Sequence, residues 1–195
     1  FDDLLERIRE IRTSERRYYQ KVTDIYSECS VDYDKNSEVT LTFFKTVQNI
    51  MHYAVSGQTA AEIVYHRSDA ERPHMGLTTW KNAPNGRVIK SDVTVAKNYL
   101  SEKEVEELNL LTTQYLDYAE LQAKNHVLMT MSDWERALNR FLEFNQLEVW
   151  VEKGTISHQQ AEEKAVAEYE KFRIIQDREI MSDFDQQLKL LLNSK

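Results

Sequence analysis

The sequence has 195 residues and a formal net charge of −8, with only 4 glycines, 2 prolines and 1 cysteine. So few glycines and prolines exclude a β-sandwich or β-barrel, which need frequent turns. The single cysteine excludes an internal disulfide and a thiolate zinc cluster, and the acidic balance argues against general binding of phosphate backbones.

The first predicted helix begins at Asp2 or Asp3 and runs to about Cys29. Its apolar residues are spaced alternately four and three apart, which is the pattern of a coiled-coil seam, although Glu15 interrupts it midway. We therefore expect residues 1–29 to form a helical arm suited to oligomerisation. The seam residues are Leu4, Ile8, Ile11, Tyr18, Val22 and Ile25.

A polar segment, VDYDKNSEV, follows this helix and resembles the start of a calcium loop. Asp32, Asp34 and Asn36 match the first three ligand positions of an EF-hand. That loop also requires Gly at its sixth position and Glu at its twelfth, where this chain has Ser37 and Phe43. We therefore interpret the segment as a turn in which Asn36 or Ser37 caps the next helix.

Later helix starts carry a repeated signal, the capping box, in which Ser or Thr precedes Glu or Gln by three residues. The four boxes are Thr59 with Glu62, Ser101 with Glu104, Ser132 with Glu135, and Ser157 with Gln160. The predicted helices are 38–56, 59–67, 92–99, 102–124, 133–147 and 158–192, with Gly57 closing the first of them. We expect an all-α, multi-helix bundle with long N- and C-terminal helices and one extended loop at about 70–90.

The last predicted helix carries a second heptad-like stripe, formed by Ile174, Met181, Phe184, Leu188 and Leu191. Both terminal helices therefore carry seams suited to pairing with each other or with a second subunit.

The length of the chain is typical of one domain, so we expect a single helical domain over 1–195. No apolar run approaches the roughly 20 residues of a membrane span, and we expect no membrane association. The lone Cys29 fits a reducing, cytoplasmic setting. Because the chain starts at Phe1 rather than at Met, we expect it to be part of a longer protein.

The stretch YHRSDAERPHMGLTTWKN, residues 65–82, interrupts the helical pattern with Pro, Gly, His and basic residues. Residues 65–97 contain six basic and three acidic residues, whereas the chain as a whole is acidic. Arg and Lys bind phosphates and carboxylates, and a solvated loop with scattered charge is the alternative. The predicted anion- or partner-binding residues are Arg67, Asp69, Arg72, Lys81, Arg87 and Lys90. The predicted loop anchors are Pro73, Met75, Gly76, Leu77 and Trp80.

A second hypothesis gives the same stretch a catalytic role. Glu62 and His66 lie one helical turn apart, with Asp69 just beyond, and these residue types hold metal ions or serve as general bases. With Lys81 neutralising a phosphate, they would support metal-assisted phosphoester hydrolysis. Against this, Glu62 already has a place in a capping box. Motifs such as GxGxxG, HExxH and GxSxG are absent from the sequence, and we expect no cofactor and no metal.

The run DYDKNSEVTLTFFKTVQNIMHYAVSGQTAAEIVYHRSDAERPHMGLTTWKN, residues 32–82, resembles the RhuM virulence-protein family of bacteria. The later blocks KSDVTVAKNYLSEKEVEELN, YLDYAELQA, MTMSDW and GTISHQQA are similar to the rest of that family's C-terminal region. The family pattern R-x-D-A-x-x-P-x-M-G-L-T matches Arg67, Asp69, Ala70, Pro73, Met75, Gly76, Leu77 and Thr78. At the position before the Met of this pattern the family has Asn, whereas this chain has His74.

The resemblance implies a virulence-associated protein with, ahead of this region, an N-terminal domain similar to a helix-turn-helix or phage-type DNA-binding module. It implies no catalytic role for the C-terminal region. We therefore expect a non-enzymatic helical interaction and oligomerisation module, forming a homodimer and binding a protein partner through residues 67–90. DNA would be bound only through the N-terminal domain. A metal-dependent phosphoesterase or nuclease using the 62–81 segment is the alternative.

Overall fold

The computed structural model describes residues 30–34, 36–125, 127–147, 149 and 154–179. The predicted arm over 1–29 and the last predicted turns of the C-terminal helix lie outside these residues. Within them the helices are α1 (Glu38–Ser56), α2 (Ala60–Arg67), α3 (Glu102–Lys124), α4 (Met131–Phe144) and α5 (His158–Glu179). Short 3₁₀ turns occupy Pro73–Gly76 and Ala96–Tyr99.

The predicted all-α class is confirmed for this part of the chain. Among the described residues there is no strand, and the isolated pairing between Ser30 and Met129 is the β-bridge that occurs. The loop expected at about 70–90 lies between α2 and α3 and holds the Pro73–Gly76 turn. The short helix predicted over 92–99 is reduced to the last four of those residues. In the described residues, none of the helices has the length and apolar character needed to cross a membrane.

The described chain divides into two compact units, each made of two separate stretches. The first contains the residues up to Ala60 and those from Leu100 to Thr155, and the second contains 61–99 and the residues from Ile156 onward. The single domain over 1–195 stays a prediction.

In the first unit, α1 packs on α3 and α4. Ser37 caps α1 by accepting a hydrogen bond from the Thr40 N–H, and Gly57 ends the helix with φ of 67°. The Tyr115 hydroxyl donates to the Trp134 carbonyl at 3.0 Å inside the core. The other buried residues of the three helices include Val47, Ile50, Met51, Leu108, Leu111, Leu138 and Leu142.

The start of α4 differs from the prediction by two residues. The capping box is formed by Thr130 and Asp133, whose carboxylate accepts from the Thr130 N–H at 2.9 Å, and not by Ser132 with Glu135. The earlier start makes Met131 part of the helix, where it is buried and its N–H donates to the Asp32 carboxylate at 3.0 Å. The hydrogen bonds from Thr130 lower the pKa of Asp133.

In the second unit, the core forms between α2, the 68–99 segment and the inner face of α5. The start of α5 agrees with the prediction, because Ser157 and Gln160 form a capping box in which each side chain accepts a hydrogen bond from the other residue's N–H. The buried residues of this unit include Ile63, Val64, Met75, Leu77, Trp80, Val88, Val93, Asn98, Tyr99, Ala161, Ala165 and Phe172.

Candidate interaction surface

The 65–90 segment is held in place by a stripe of polar side chains on α5. Lys164 lies at the end of α2, where its Nζ donates to the carbonyls of Tyr65 at 2.6 Å and Ser68 at 2.7 Å. Its Nζ also lies 5.2 Å from the centre of the Tyr65 ring. A lysine at this position satisfies carbonyl groups that a helix leaves without partners at its C-terminus.

One turn further along α5, the Glu168 carboxylate accepts a hydrogen bond from the Ala70 N–H at 2.9 Å. The same carboxylate accepts from the Lys171 ammonium at 2.8 Å. These two hydrogen bonds, that from Lys171 first, hold the pKa of the Glu168 carboxyl below its usual range, so the group is charged when it binds the loop backbone.

Two turns beyond Glu168, Gln176 pairs with both backbone groups of Val88. The Val88 N–H donates to Oε1 at 2.9 Å, and Nε2 donates to the Val88 carbonyl at 3.2 Å. Gln176 is only 6% exposed. An amide that satisfies a donor and an acceptor together replaces the partners that a strand or helix would otherwise supply.

The loop contains a left-handed turn at three consecutive residues. The φ angles are 51° at His74, 63° at Met75 and 81° at Gly76. The left-handed conformation is unfavourable for residues with a Cβ, so two of the three positions are strained. Met75 is fully buried and Leu77 is nearly so, and these apolar anchors hold the turn in its conformation.

At Gly76 the close approach of the chain adds a second constraint. A Cβ built at this glycine would collide with the Arg67 carbonyl oxygen. The position therefore requires glycine both for its φ and for space.

The His74 ring, at this turn, lies against the Trp80 ring in a tilted arrangement. The ring centroids are 4.4 Å apart with an angle of 30° between the planes. Trp80 is buried and its Nε1 donates to the Gly86 carbonyl at 2.8 Å, whereas His74 is exposed. The buried indole thus supports an exposed imidazole.

Asp92 joins two parts of the loop through its buried carboxylate. Oδ1 accepts from the Lys81 N–H and Oδ2 from the Ile89 N–H, both at 3.0 Å. The Tyr99 hydroxyl donates to the Val93 carbonyl at 2.8 Å, and burial, assisted by the charge of Asp92, raises the pKa of that hydroxyl. Asp92 is therefore a structural acid that brings the chain at 81 and at 89 together.

A family model described as the Virulence protein RhuM family matches residues 1–181 of the chain. The chain belongs to the RhuM family of virulence proteins. No curated protein and no solved structure matches the chain. The RhuM match includes the whole 65–90 segment and all of α5 that the structure describes, so the surface and the helix that holds it both lie in the family region.

Several predicted cations of this RhuM segment have structural partners. Arg67 donates from Nη1 to the Tyr99 carbonyl at 3.0 Å. Arg72 lies 3.5 Å from Asp69, and Arg87 forms an ion pair with Asp177 of α5 at 2.8 Å. The remaining two members of the predicted set, Lys81 and Lys90, are exposed and make no ion pair with any described residue.

The predicted loop anchors differ in their burial. Met75, Leu77 and Trp80 are buried, Gly76 is half-buried, and Pro73 is exposed at the start of the turn.

The residues of the catalytic alternative do not form a metal centre in the described structure. Among these residues, no group of three or more His, Cys, Asp and Glu side chains is placed to hold a metal ion. His66 is exposed and its ring lies edge-on to Tyr65, with centroids 5.3 Å apart. The catalytic use of Glu62, His66, Asp69 and Lys81 stays a prediction.

Sequence reasoning missed the side chains that organise the surface, namely Lys164, Glu168, Gln176 and Asp92. A partial signal was present, because the three residues of α5 are spaced in multiples of four and share one face with the buried Ala161, Ala165 and Phe172. Their backbone partners, however, lie 88 to 99 positions earlier in the chain.

Proposed function

We propose that this chain is a non-enzymatic module that dimerises through α5 and presents the 65–90 segment on the opposite side of that helix. The observation that carries the proposal is the exposure of Ile174, a large apolar residue of α5 that is 54% exposed. Successive helix residues are rotated by about 100°, so Ile174 faces away from Phe172 and Gln176, which pack on the loop.

The sequence supports a second copy as the occupant of this face. Ile174 opens the heptad-like stripe that continues through Met181, Phe184, Leu188 and Leu191, residues outside the described structure. Isologous pairing of one stripe with its own copy is the commonest arrangement of soluble oligomers. Asp177, at the intervening position of the stripe, lies between the face of Ile174 and the face that packs on the loop, and its ion pair with Arg87 compensates its charge.

Dimerisation would serve DNA association indirectly. In this proposal DNA is bound by an N-terminal domain of the kind that the RhuM resemblance implies, and two tethered copies of such a domain bind with higher avidity than one. The lone Cys29 is compatible with a cytoplasmic setting for this assembly.

The test is the mass of the protein in solution. We expect light scattering to give about twice the 23.1 kDa of one chain. Ile174→Glu places a charge in the apolar seam and should raise the dissociation constant by at least about 100-fold. Ile175→Glu is the matched control, since Ile175 is also exposed (39%) but lies beside the seam.

The control should remain dimeric, and circular dichroism should show that both variants are folded. A wild-type monomer at every concentration, or an Ile174→Glu variant that dimerises as well as Ile175→Glu, contradicts the proposal.

A further inference from the structure

Three exposed side chains of the 65–90 segment, those of His74, Lys81 and Lys90, belong to separate parts of the loop whose backbone is brought close together. The Asp92 carboxylate binds the N–H groups of Lys81 and Ile89, so the chain at 81 and at 90 lies on the two sides of one buried acid. The His74 ring rests on Trp80, the residue before Lys81. We refer to His74, Lys81 and Lys90 as the cationic patch.

The charge of the patch is not neutralised within the described structure. Lys81 and Lys90 make no ion pair with a described residue, and the nearest acid in sequence, Asp92, is 4% exposed and binds backbone N–H groups instead. Four other exposed cations of this unit have carboxylate partners. These pairs are Arg72 with Asp69, Arg87 with Asp177, Lys171 with Glu168, and Arg173 with Glu170.

The backbone that carries the patch is also ordered without a bound partner. The left-handed turn that projects His74 is strained at two residues with a Cβ, and such strain persists where the surrounding structure enforces it. Gln176 and Glu168 fix the backbone on either side of the turn at Val88 and Ala70. A surface ordered in this way loses little conformational entropy when it binds.

We propose that the cationic patch binds an acidic segment of a partner protein. The two ammonium groups suit carboxylates, and the exposed imidazole on its indole support offers a flat surface for an apolar side chain of the same segment. A nucleic acid is a poor fit, because it needs many adjacent cations. In addition, the carboxylates of Asp69 and Asp177, which pair with Arg72 and Arg87, lie on the surface of the same unit and would repel phosphates.

The experiment measures peptide binding to the full chain by fluorescence anisotropy. The probe is a fluorescein-labelled octaglutamate peptide, compared with an octaglutamine peptide and with a thymidine octanucleotide. We expect octaglutamate to bind at low salt at least about ten times more tightly than octaglutamine, and high salt to weaken it. Exposed ion pairs each change an affinity by roughly 1.5- to 5-fold. Loss of two such pairs multiplies to roughly 2- to 25-fold, and the reversed charges of Lys81→Glu/Lys90→Glu also repel the peptide, so binding should weaken about tenfold or more.

The control is Lys45→Glu/Lys103→Glu, which makes the same change in net charge at two exposed lysines of the other unit. It should alter the affinity less than about twofold.

The proposal is overturned if octaglutamate does not bind, if the two double variants weaken binding equally, or if the oligonucleotide binds more tightly than octaglutamate. The measurement is independent of dimerisation, because Ile174 lies outside the patch and the mass of each variant is read separately.

Discussion

At the scale of single residues, the left-handed turn at His74, Met75 and Gly76 is the unusual feature of the 65–90 segment, because three consecutive residues have positive φ. Strain of about 1–2 kcal/mol is expected for each residue with a Cβ in this conformation. His74 and Met75 both adopt this conformation. Met75 is buried, whereas His74 is exposed. The burial of Met75 thus holds the exposed His74, the residue before it, in its position.

Gly76 is the residue at which the turn is most sensitive to substitution. Gly76→Ala adds a Cβ at φ of 81° and against the Arg67 carbonyl, so it should lower the free energy of unfolding by roughly 2–4 kcal/mol. Gly57→Ala is the matched control, because Gly57 is also left-handed, with φ of 67°, but has nothing within 4 Å of the new Cβ. It should cost only about 1 kcal/mol. Urea denaturation measures both, and equal losses would contradict the role assigned to the Arg67 carbonyl.

At the scale of elements, α5 has two faces with different tasks. One face holds the backbone of the 65–90 segment through Lys164, Glu168 and Gln176, and the other exposes Ile174. Because the loop's buried backbone groups are satisfied by side chains of α5, the loop depends on that helix for its shape.

Gln176 provides the sharpest test of this dependence. Gln176→Met keeps the volume and the apolar stem but leaves the Val88 N–H and carbonyl without their buried partner. The expected loss is roughly 2–4 kcal/mol, from about 1–3 kcal/mol for each buried unsatisfied group. Hydrogen exchange should speed up at Val88 and along the loop.

Gln159→Met serves as the control on the same helix, because Gln159 is exposed and bonds only to Glu163 among the contacts described. Unchanged protection at Val88 in Gln176→Met would show that the amide does not hold the loop.

The elements were more predictable than the surface they build. α1 and α3 begin and end where predicted, since their signals are local: Ser37 and Gly57 for α1, and the box of Ser101 with Glu104 for α3. The start of α4 was misplaced because two boxes overlap in TMSDWE, and burial of Met131 decides between them.

The surface depends on contacts that no local signal encodes. The segment itself stood out by its composition, but the pairing of Gln176 with Val88 and of Arg87 with Asp177 joins residues about 90 positions apart. Asp92 looked like an ordinary helix-start acid in the sequence, whereas in the structure it binds the backbone of Lys81 and Ile89. A polar residue's partner is set by the fold, and the fold is known only once the helices have packed.

At the scale of the whole molecule, charge decides which polymers the chain can bind. The net charge is −8, and most of the basic residues in the 65–90 segment are paired with carboxylates or bound to carbonyls. Binding of duplex DNA without sequence preference draws its free energy from the release of counterions by several unpaired cations. In the 65–90 segment, the cations without a carboxylate or carbonyl partner are those of the cationic patch, which is too small for that purpose.

We therefore expect this chain to bind a duplex of about 20 base pairs with a dissociation constant weaker than about 100 µM at roughly 150 mM salt, whatever the sequence. Fluorescence anisotropy over a range of salt concentrations gives both the affinity and its salt dependence. Lys81→Glu/Lys90→Glu is the control, since it should remove any residual binding seen at low salt. Tight binding that falls steeply with salt would mean that the chain itself holds DNA, and the division of labour between this module and an N-terminal domain would then be wrong.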